Sequence, residues 1–311
     1  MSACHQAFTS SQQNSYRMSN NFPIWRSMMF VPAHVDKFIG SAHKHGADAC
    51  ILDLEDSVPL ARKVEARSKI EAAAALVSQA GASVLVRINN DPDLLADDLA
   101  AAVHPQVDAL MVPKVGSAGF VHELDASLAE NECRRGMPPG RTLLIVQIED
   151  VYALTQIDAI AGSSPRVMGM ILGSEDFSLS AGMEPNEQTL FSPNQQLVFA
   201  CRRAGIHPFG FPGSISQFRD LVALRTTIRV ARQMGFVGSY AIHPDQVTVM
   251  NEEFLPTPEE VAHARELLMV HEEAKVQGRG AFEFRNRMVD APVVARAESI
   301  VRRADAVRRS N

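Results

Sequence analysis

Short apolar segments recur along the chain, and each is followed by a stretch whose apolar residues stand three and four positions apart. Eight such segments are present, at residues 27–33, 49–55, 83–89, 109–115, 143–150, 168–176, 207–213 and 238–244. Continuous apolar strands that alternate with helices are typical of a parallel sheet covered by helices. Glycines near the ends of four helical stretches fit helix C-caps; they are Gly46, Gly81, Gly205 and Gly235.

The even spacing of these eight units favours a closed (β/α)₈ TIM barrel, with a doubly wound open sheet as the structural alternative. We predict the barrel over residues 23–255 and a polar, disordered tail over residues 1–22. A helical extension follows over residues 256–311, in which a connector rich in Gly and Arg, residues 279–290, joins two helices. The extension exceeds what a barrel needs, so we predict that it is a lid or an oligomerisation arm.

Composition places the chain among soluble globular proteins, because 46% of its 311 residues are hydrophobic and 21% are charged. The net charge of −6 argues against a nucleic-acid partner. No apolar run approaches the roughly 20 residues of a membrane span, and the first 22 residues lack the apolar core of a secretory signal. The cysteines are scattered without a CxxC pair, which suits the reducing cytoplasm; they are Cys4, Cys50, Cys133 and Cys201.

The second apolar segment, "ACILDLEDSVP", ends in carboxylates. Asp53 and Glu55 point to the same side of a strand, where an unpaired buried charge costs several kcal/mol. Arg87 and Lys114 follow the next two strands, so they, or a metal ion, can compensate these charges at the functional end of the barrel. Taken singly, Arg87 and Lys114 also suit structural ion pairs, and His243 suits a hydrogen-bonded histidine at the barrel rim.

Glu149 and Asp176 end the fifth and sixth segments, which are neighbours in an eight-stranded barrel. Two carboxylates that face one pocket repel each other unless a cation or a proton lies between them. Oxygen ligands without nearby His or Cys suit Mg²⁺, or Mn²⁺, with several retained waters that Glu55 and Asp56 could hold. The alternative is that both carboxylates pair with Arg87 and Lys114.

Motifs in the same order as these segments resemble the citrate lyase β-subunit family, also called the HpcH/HpaI aldolase or CoA-ester lyase family. They run from about residue 26 to 304 and include "RSMMFVPA", "GADACILDLEDSV", "VLVRINN", "LMVPKVGSA", "IVQIED", "SPRVMGMILGSEDFSLSAGM", "GFVGSYAIHPDQV" and "MVDAPVVARAE". The resemblance implies an Mg²⁺-dependent barrel that cleaves or forms a C–C bond in malyl-, citramalyl- or citryl-CoA. The products of cleavage would be acetyl-CoA and a 2-oxo acid.

The resemblance also implies roles for single residues. Glu149 and Asp176 would be the metal ligands, and Arg87 would lie beside the reacting centre. Asp290 would be an acid/base carboxylate on the lid of a neighbouring subunit, so the protein would be a homo-oligomer, a trimer or hexamer. Residues that would hold water or contact the CoA substrate are Phe30, Arg26, Glu55, Asp56, Lys114, Gly173, Ser174, Glu175, Ile242 and His243.

Three other functions remain open at this point: a thioesterase acting on malyl-CoA, an aldolase acting on free hydroxy acids, and a non-catalytic barrel subunit that binds an acyl carrier protein. A scaffold has no need to keep Arg87, Glu149, Asp176 and Asp290 together. Their joint presence favours an enzyme.

Overall fold

Eight parallel strands alternate with helices, as the apolar pattern predicts. The computed structural model describes residues 22–216, 219–278 and 280–308, so the predicted tail lies outside the described residues except for Phe22. The strands are β1 Ser27–Pro32, β2 Ala49–Asp53, β3 Ser83–Arg87, β4 Ala109–Val112, β5 Leu143–Ile148, β6 Val167–Leu172, β7 His207–Phe209 and β8 Ser239–Ala241.

The strands form a closed barrel. They are hydrogen-bonded in the order β7-β6-β5-β4-β3-β2-β1-β8, and a parallel bridge between Phe209 and Gly238 joins the two ends of this order. The Gly210 N–H donates to the Gly238 carbonyl at 2.9 Å. Only glycine fits at position 238, because a Cβ there would overlap the carbonyl oxygen of Trp25. The prediction of a (β/α)₈ barrel rather than an open sheet is confirmed.

Helices cover the outside of the barrel, and the four glycines predicted as C-caps have φ between 68° and 114°. Short 3₁₀ turns lie at His43–His45, Leu60–Arg62 and Ser78–Ala80. The barrel helices are α1 Asp36–Ala42, α2 Lys63–Val77, α3 Pro92–Ala102, α4 Ala118–Arg134, α5 Val151–Thr155, α6 Ile157–Ala161, α7 Ser174–Ala181, α8 Glu187–Ala204, α9 Leu221–Met234 and α10 Pro244–Glu253.

Two apolar cores result from the alternation of side chains along the strands. Side chains that face the barrel axis form a small interior core, including Met28, Ile51, Leu85, Met111 and Ile171. Those that face outward pack against the helices in a larger core. The interior core fills the barrel, so polar groups collect where the strands end.

The C-terminal extension consists of α11 Pro258–Val276, a hairpin of β9 Phe282–Phe284 and β10 Arg287–Val289, and α12 Ala291–Arg308. The connector, for which the sequence predicts no strand, thus contains two short strands. Their turn residues, Arg285 and Asn286, have φ of 50° and 60°, as a type I′ turn requires. We call residues 258–308 the arm; it has its own small apolar core, which includes Leu267, Phe284 and Val289.

The base of the arm meets the barrel at the amino-terminal end of the strands. Arg232, near the end of α9, pairs with Glu260 in the first turn of α11 at 2.5 Å. Arg303 of α12 donates to the carbonyl of Phe236, which precedes β8, at 3.4 Å. The hairpin lies at the opposite end of the two arm helices.

A buried ion pair stabilises the same end of the barrel. Arg166 donates to both oxygens of Glu132 at 2.7 and 2.8 Å, and neither side chain is more than 4% exposed. Glu132 also accepts from the backbone N–H groups of Gly140 and Thr142. Burial opposes ionisation, but these donors outweigh it and lower the pKa of Glu132 to about 2.

We predict that Glu132→Gln lowers the free energy of unfolding by about 3 kcal/mol, which is the lower end of the range for breaking a buried ion pair. We expect the lower end because Arg166 keeps its ion pair with Asp125 in the variant. The matched control is Glu130→Gln on the same helix, whose pair with Arg134 is 70% exposed on both sides and should matter little. Urea unfolding at pH 7 measures both changes.

The pH dependence gives a second check on Glu132. Its folded pKa is depressed, so its contribution is present above its usual value of 4.5 and is lost as pH falls towards 2. The difference between wild type and Glu132→Gln should therefore shrink over that interval. Equal costs for the two variants at pH 7 would contradict the assignment.

Candidate active site at the carboxyl ends of the strands

The last residues of β2 and β3 form a buried ion pair. Asp53 and Arg87 are partners in the parallel register, and Arg87 donates from Nε and Nη2 to the two Asp53 oxygens at 2.6 and 2.8 Å. Asp53 is 1% exposed and also accepts from the N–H groups of Glu55 and Ser57. Burial disfavours its charge, but the Arg87 bonds outweigh burial and lower the pKa of Asp53.

Glu55 bridges two cations directly after β2. Its Oε2 lies 2.9 Å from Arg87 Nη1, which is close enough for an ion pair. The geometry there does not meet the angle of a hydrogen bond. Its Oε1 accepts a hydrogen bond from Lys114 Nζ at 2.8 Å. Asp56 is more exposed and lies 3.6 Å from Arg87. Burial raises the pKa of Glu55 against the opposing charges of Arg87 and Lys114. The carboxylates after β2 are thus compensated by Arg87 and Lys114.

Glu149 follows β5 and is held in one orientation. Gln147 Nε2 donates to its Oε1 at 2.9 Å, and the backbone N–H of Lys114 donates to its Oε2 at 2.7 Å. Lys114 has φ 54°, which is uncommon for a residue other than glycine. Gly173 packs so closely that a Cβ there would overlap the Glu149 carboxylate. Position 173 therefore requires glycine if Glu149 is to keep this place.

Asp176 lies on a helix rather than at the end of a strand. The sequence places residues 173–176 at the end of the sixth strand, whereas β6 ends at Leu172 and Asp176 is exposed in the first turn of α7. Burial raises the pKa of Glu149 to about 7, and the negative charges of Glu55 and Asp176 add to the effect. The charge of Asp176 thus acts on Glu149, the other predicted metal ligand.

The residues at this position fit a divalent cation. Within the described ranges, no ion pair joins Glu149 or Asp176 to the side chains of Arg87 or Lys114. The charge of Lys114 favours the ionised form of Glu149 but does not outweigh burial and the charges of Glu55 and Asp176. No cluster of three or more His, Cys, Asp or Glu in the described chain could hold a metal. A cation here would have two protein carboxylates and take its other ligands from water or substrate, as Mg²⁺ commonly does.

An aromatic wall lies beside this group. The Arg87 guanidinium stands over the Phe30 ring at 4.6 Å, and the Tyr240 ring meets Phe30 edge-on at 5.4 Å. Burial raises the pKa of Tyr240 to about 12, although a hydrogen bond with Ser174 opposes the rise. Tyr240 and Gln147 lie at this site, but they were not predicted from the sequence. Each could have been found as a polar side chain within an otherwise apolar strand.

Three other predicted residues lie at the same end of the barrel with local partners. Glu175 is exposed and accepts a hydrogen bond from the Ser214 hydroxyl. His243 is the N-cap of α10, where its Nδ1 accepts from the Asp245 N–H at 3.3 Å. Ile242 is 44% exposed. The contact with Asp245 gives His243 a structural role as an N-cap. That Glu175, Ile242 and His243 contact substrate stays a prediction.

The structure does not bring Arg26 to this group. Arg26 precedes the first residue of β1, so it lies at the amino-terminal end of the barrel, opposite the carboxyl rim. Its Nε and Nη2 donate to the two oxygens of Asp48 at 2.8 and 2.6 Å. The prediction that Arg26 contacts substrate is therefore not supported by its position.

Asp290 lies outside the barrel. It is exposed between β10 and α12, and its carbonyl accepts from the N–H groups of Val293 and Val294 at the start of α12. Among the described residues, no hydrogen bond or ion pair joins the Asp290 side chain to Glu149 or Asp176 of its own chain, the two residues of what we call the Glu149 pocket. Any role in that pocket must therefore come from the arm of another subunit or from a different arm position.

The fold and the polar carboxyl rim are those of a (β/α)₈-barrel enzyme. The family model described as HpcH/HpaI aldolase/citrate lyase matches residues 26–244. The chain belongs to this family, and the resemblance seen in its motifs is confirmed. Its relatives are named as lyases, so the chain is a carbon–carbon lyase of this family.

Relatives of known name match almost the whole chain. The citrate lyase subunit beta of Leuconostoc mesenteroides subsp. cremoris is 32% identical over 290 residues, which cover 92% of this chain and 95% of that protein. The L-malyl-CoA/beta-methylmalyl-CoA lyase of Cereibacter sphaeroides is 34% identical over 299 residues, covering 89% and 92%.

A solved structure shows the same fold with ligands bound. The CitE protein of Mycobacterium tuberculosis, in complex with magnesium, acetoacetate and coenzyme A, is 26% identical and superposes with a TM-score of 0.71. The match covers 90% of this chain and 97% of that chain. Among the helices described for the present chain, none is both long and apolar enough to cross a membrane.

We predict that Arg87→Lys lowers the free energy of unfolding by about 2 kcal/mol, because an ammonium cannot hold both oxygens of the buried Asp53. Thermal and urea unfolding measure the loss. The control is Arg62→Lys, since Arg62 also donates twice to one carboxylate, Glu65, but on the exposed surface. It should leave stability unchanged. Equal stability of the two variants would argue against a structural role for the Asp53–Arg87 pair.

Proposed function

We propose that this protein is an Mg²⁺-dependent CoA-ester lyase. It cleaves, or forms, a 3-hydroxyacyl-CoA thioester such as malyl-CoA, citramalyl-CoA or citryl-CoA, with acetyl-CoA and a 2-oxo acid on the other side of the reaction. The names of its relatives and the magnesium, acetoacetate and coenzyme A in the Mycobacterium tuberculosis complex support this class. The observation that carries the proposal is the Glu149 carboxylate, which Gln147 and the Lys114 N–H hold in place and on which the charge of Asp176 acts.

Glu149 and Asp176 would hold the Mg²⁺ ion, and Mn²⁺ would suit the same oxygens. When bound, such an ion supplies positive charge that polarises the oxygens of a hydroxy or oxo acid. The chain itself orients the ligand: Gln147 and the Lys114 N–H each hold one oxygen of Glu149. Gly173 leaves the space that the carboxylate needs.

Arg87 would stabilise the negative charge that develops on oxygen as the C–C bond breaks. Asp53 takes the Nε–H and one N–H of Nη2, and Glu55 lies beside Nη1. A guanidinium has five N–H donors, so donors remain for a substrate oxygen. Burial opposes the charge, but the bonds that Arg87 donates to Asp53 outweigh burial and raise the pKa of Arg87 further. Arg87 therefore stays cationic throughout the working pH range.

In cleavage the substrate hydroxyl loses its proton to solvent as its carbon becomes the carbonyl of the 2-oxo acid. Asp290, as a general acid, would donate a proton to the carbon of acetyl-CoA that loses its bond. Its exposure at the hairpin end of the arm suits a carboxylate that serves a neighbouring barrel. On this view the enzyme is a homo-oligomer, and each active site combines the barrel of one subunit with the arm of another.

A panel of hydroxyacyl-CoA thioesters tests the activity, with products identified by mass spectrometry after incubation with Mg²⁺. We expect acetyl-CoA and a 2-oxo acid from at least one thioester. Glu149→Gln and Asp176→Asn should each lower this turnover by about 10²-fold or more, since the ion stabilises the transition state by several kcal/mol. Asp158→Asn is the control, because Asp158 pairs with Arg203 on the exposed surface.

Other products would contradict the proposal in specific ways. Free hydroxy acid plus CoA would indicate a thioesterase, and cleavage of the free acids alone would indicate an aldolase. No turnover, together with binding of an acyl carrier protein, would indicate a non-catalytic subunit. Full activity of Glu149→Gln and Asp176→Asn with Mg²⁺ would refute the metal assignment alone.

Complementation tests the shared site. Asp290→Ala and Glu149→Ala should each be inactive, and subunit exchange between them should restore activity to about a quarter of wild type, as random pairing in a symmetric oligomer gives. A mixture of Glu149→Ala with Asp176→Ala is the control, because both residues belong to the barrel and no site becomes whole. If verified mixed oligomers of Asp290→Ala and Glu149→Ala remain inactive, Asp290 does not act in a neighbour's site.

A further inference from the structure

Lys63, the first residue of α2, is buried although a lysine on an outer helix normally faces water. It is 7% exposed. Its Nζ donates to the carbonyls of Leu54 and Glu55 at 2.7 and 2.8 Å and to Asn89 Oδ1 at 2.7 Å. A lysine ammonium has three N–H donors, and these three acceptors use all of them.

Asn89 continues the network into the barrel wall. Its Nδ2 donates to the Leu54 carbonyl at 2.9 Å and to Asp98 Oδ2 at 2.6 Å, and its backbone N–H donates to the same Asp98 oxygen. Asp98 is fully buried and accepts from Arg67 Nε at 2.6 Å. Lys63 and Arg67 are one turn apart on α2, so this helix fastens both the segment after β2 and the segment after β3.

These two segments carry the groups that surround Arg87. Leu54 and Glu55 directly follow Asp53, and Asn89 is two residues beyond Arg87. Lys63 binds the carbonyl of Glu55, whereas the carboxylate of the same residue lies between Arg87 and Lys114. If the ammonium were removed, the carbonyls of Leu54 and Glu55 would each lose a hydrogen bond, and the segment that carries the Glu55 carboxylate would be held less firmly.

We propose that Lys63 is a positioning residue for the lyase reaction, which acts by holding Glu55 and thereby the orientation of Arg87 and Lys114. This inference rests on the proposed function. The three hydrogen bonds of Lys63 go to the segments after β2 and β3 and not to Glu149 or Asp176. A residue that merely stabilises the barrel would lower stability without acting through Glu55.

Lys63→Met, which keeps the length of the side chain and removes its donors, tests the role. We expect kcat to fall by about 10²-fold, the scale of an ångström-level misplacement of catalytic groups, while KM for the thioester changes less than about threefold, since few ground-state contacts are lost. Lys69→Met is the matched control: Lys69 lies on the same helix and pairs with Asp36 and Glu65 near the surface. It should leave kcat unchanged.

A double-mutant cycle separates positioning from general damage. If Lys63 acts through Glu55, then adding Lys63→Met to Glu55→Gln should lower kcat by no more than about twofold further, because coupled residues are not additive. Multiplication of the two single effects would overturn the proposal. So would a Lys63→Met variant with wild-type kcat.

Hydrogen exchange gives a measurement that does not depend on activity. Amides of residues 54–58 should exchange faster in Lys63→Met than in wild type, whereas those of β5 should not change. If wild type cleaves no thioester, the proposed function fails and this measurement still decides whether Lys63 holds the segment. Normal protection of residues 54–58 would overturn the inference and leave the lyase assignment intact. Should Lys63→Met fail to fold, Lys63→Gln is held to the same criteria.

Discussion

The buried pair between Asp53 and Arg87 ties together the last residues of two neighbouring strands, and the arrangement of the rim depends on it. An unpaired carboxylate at the position of Asp53 would cost several kcal/mol, so Arg87 must be held in place. Because Asp53 uses the Nε side of the guanidinium, Arg87 Nη1 is directed to Glu55. Glu55 in turn holds the ammonium of Lys114, whose backbone N–H binds Glu149. A chain of contacts thus runs from β2 to β5 around the barrel end.

This chain leaves the rim with an excess of negative charge. The cations that act on this group are Arg87, Lys114 and Lys63, and its five carboxylates are Asp53, Glu55, Asp56, Glu149 and Asp176. Carboxylates outnumber cations in this group, and within the described ranges neither Glu149 nor Asp176 forms an ion pair. Burial, together with the charges of Glu55 and Asp176, raises the pKa of Glu149 to about 7. A bound divalent cation would remove most of that excess. The same excess of negative charge would repel a substrate carboxylate. Arg87 and the bound ion would both offset that repulsion.

The apolar pattern predicted all eight strands because buried parallel strands are continuous apolar runs, and the polar residue that ends each run marks the carboxyl rim. That logic found Arg87, Lys114 and Glu149. It misplaced Asp176, because "GSED" continues an apolar run and yet begins a helix. It missed Lys63, since a lysine on an amphipathic helix carries no sign of burial. The sequence did not predict the hairpin in the arm, because its turn lacks the usual glycine or asparagine at the first position. Arg285 takes the positive-φ conformation there instead.

The proposed acid/base carboxylate, Asp290, lies on the arm and not on the barrel. Its base is fixed at the amino-terminal end through Glu260 and Arg303, while its buried side chains pack mainly against one another. The 19 residues of α11 span about 28 Å, more than the roughly 20 Å of a six-residue strand. An arm anchored at the amino-terminal end is therefore long enough to carry its hairpin to the height of a carboxyl rim. Because Asp290 is exposed in the single chain, that carboxylate is accessible to a second barrel, and a site built this way would be complete only in the assembled protein.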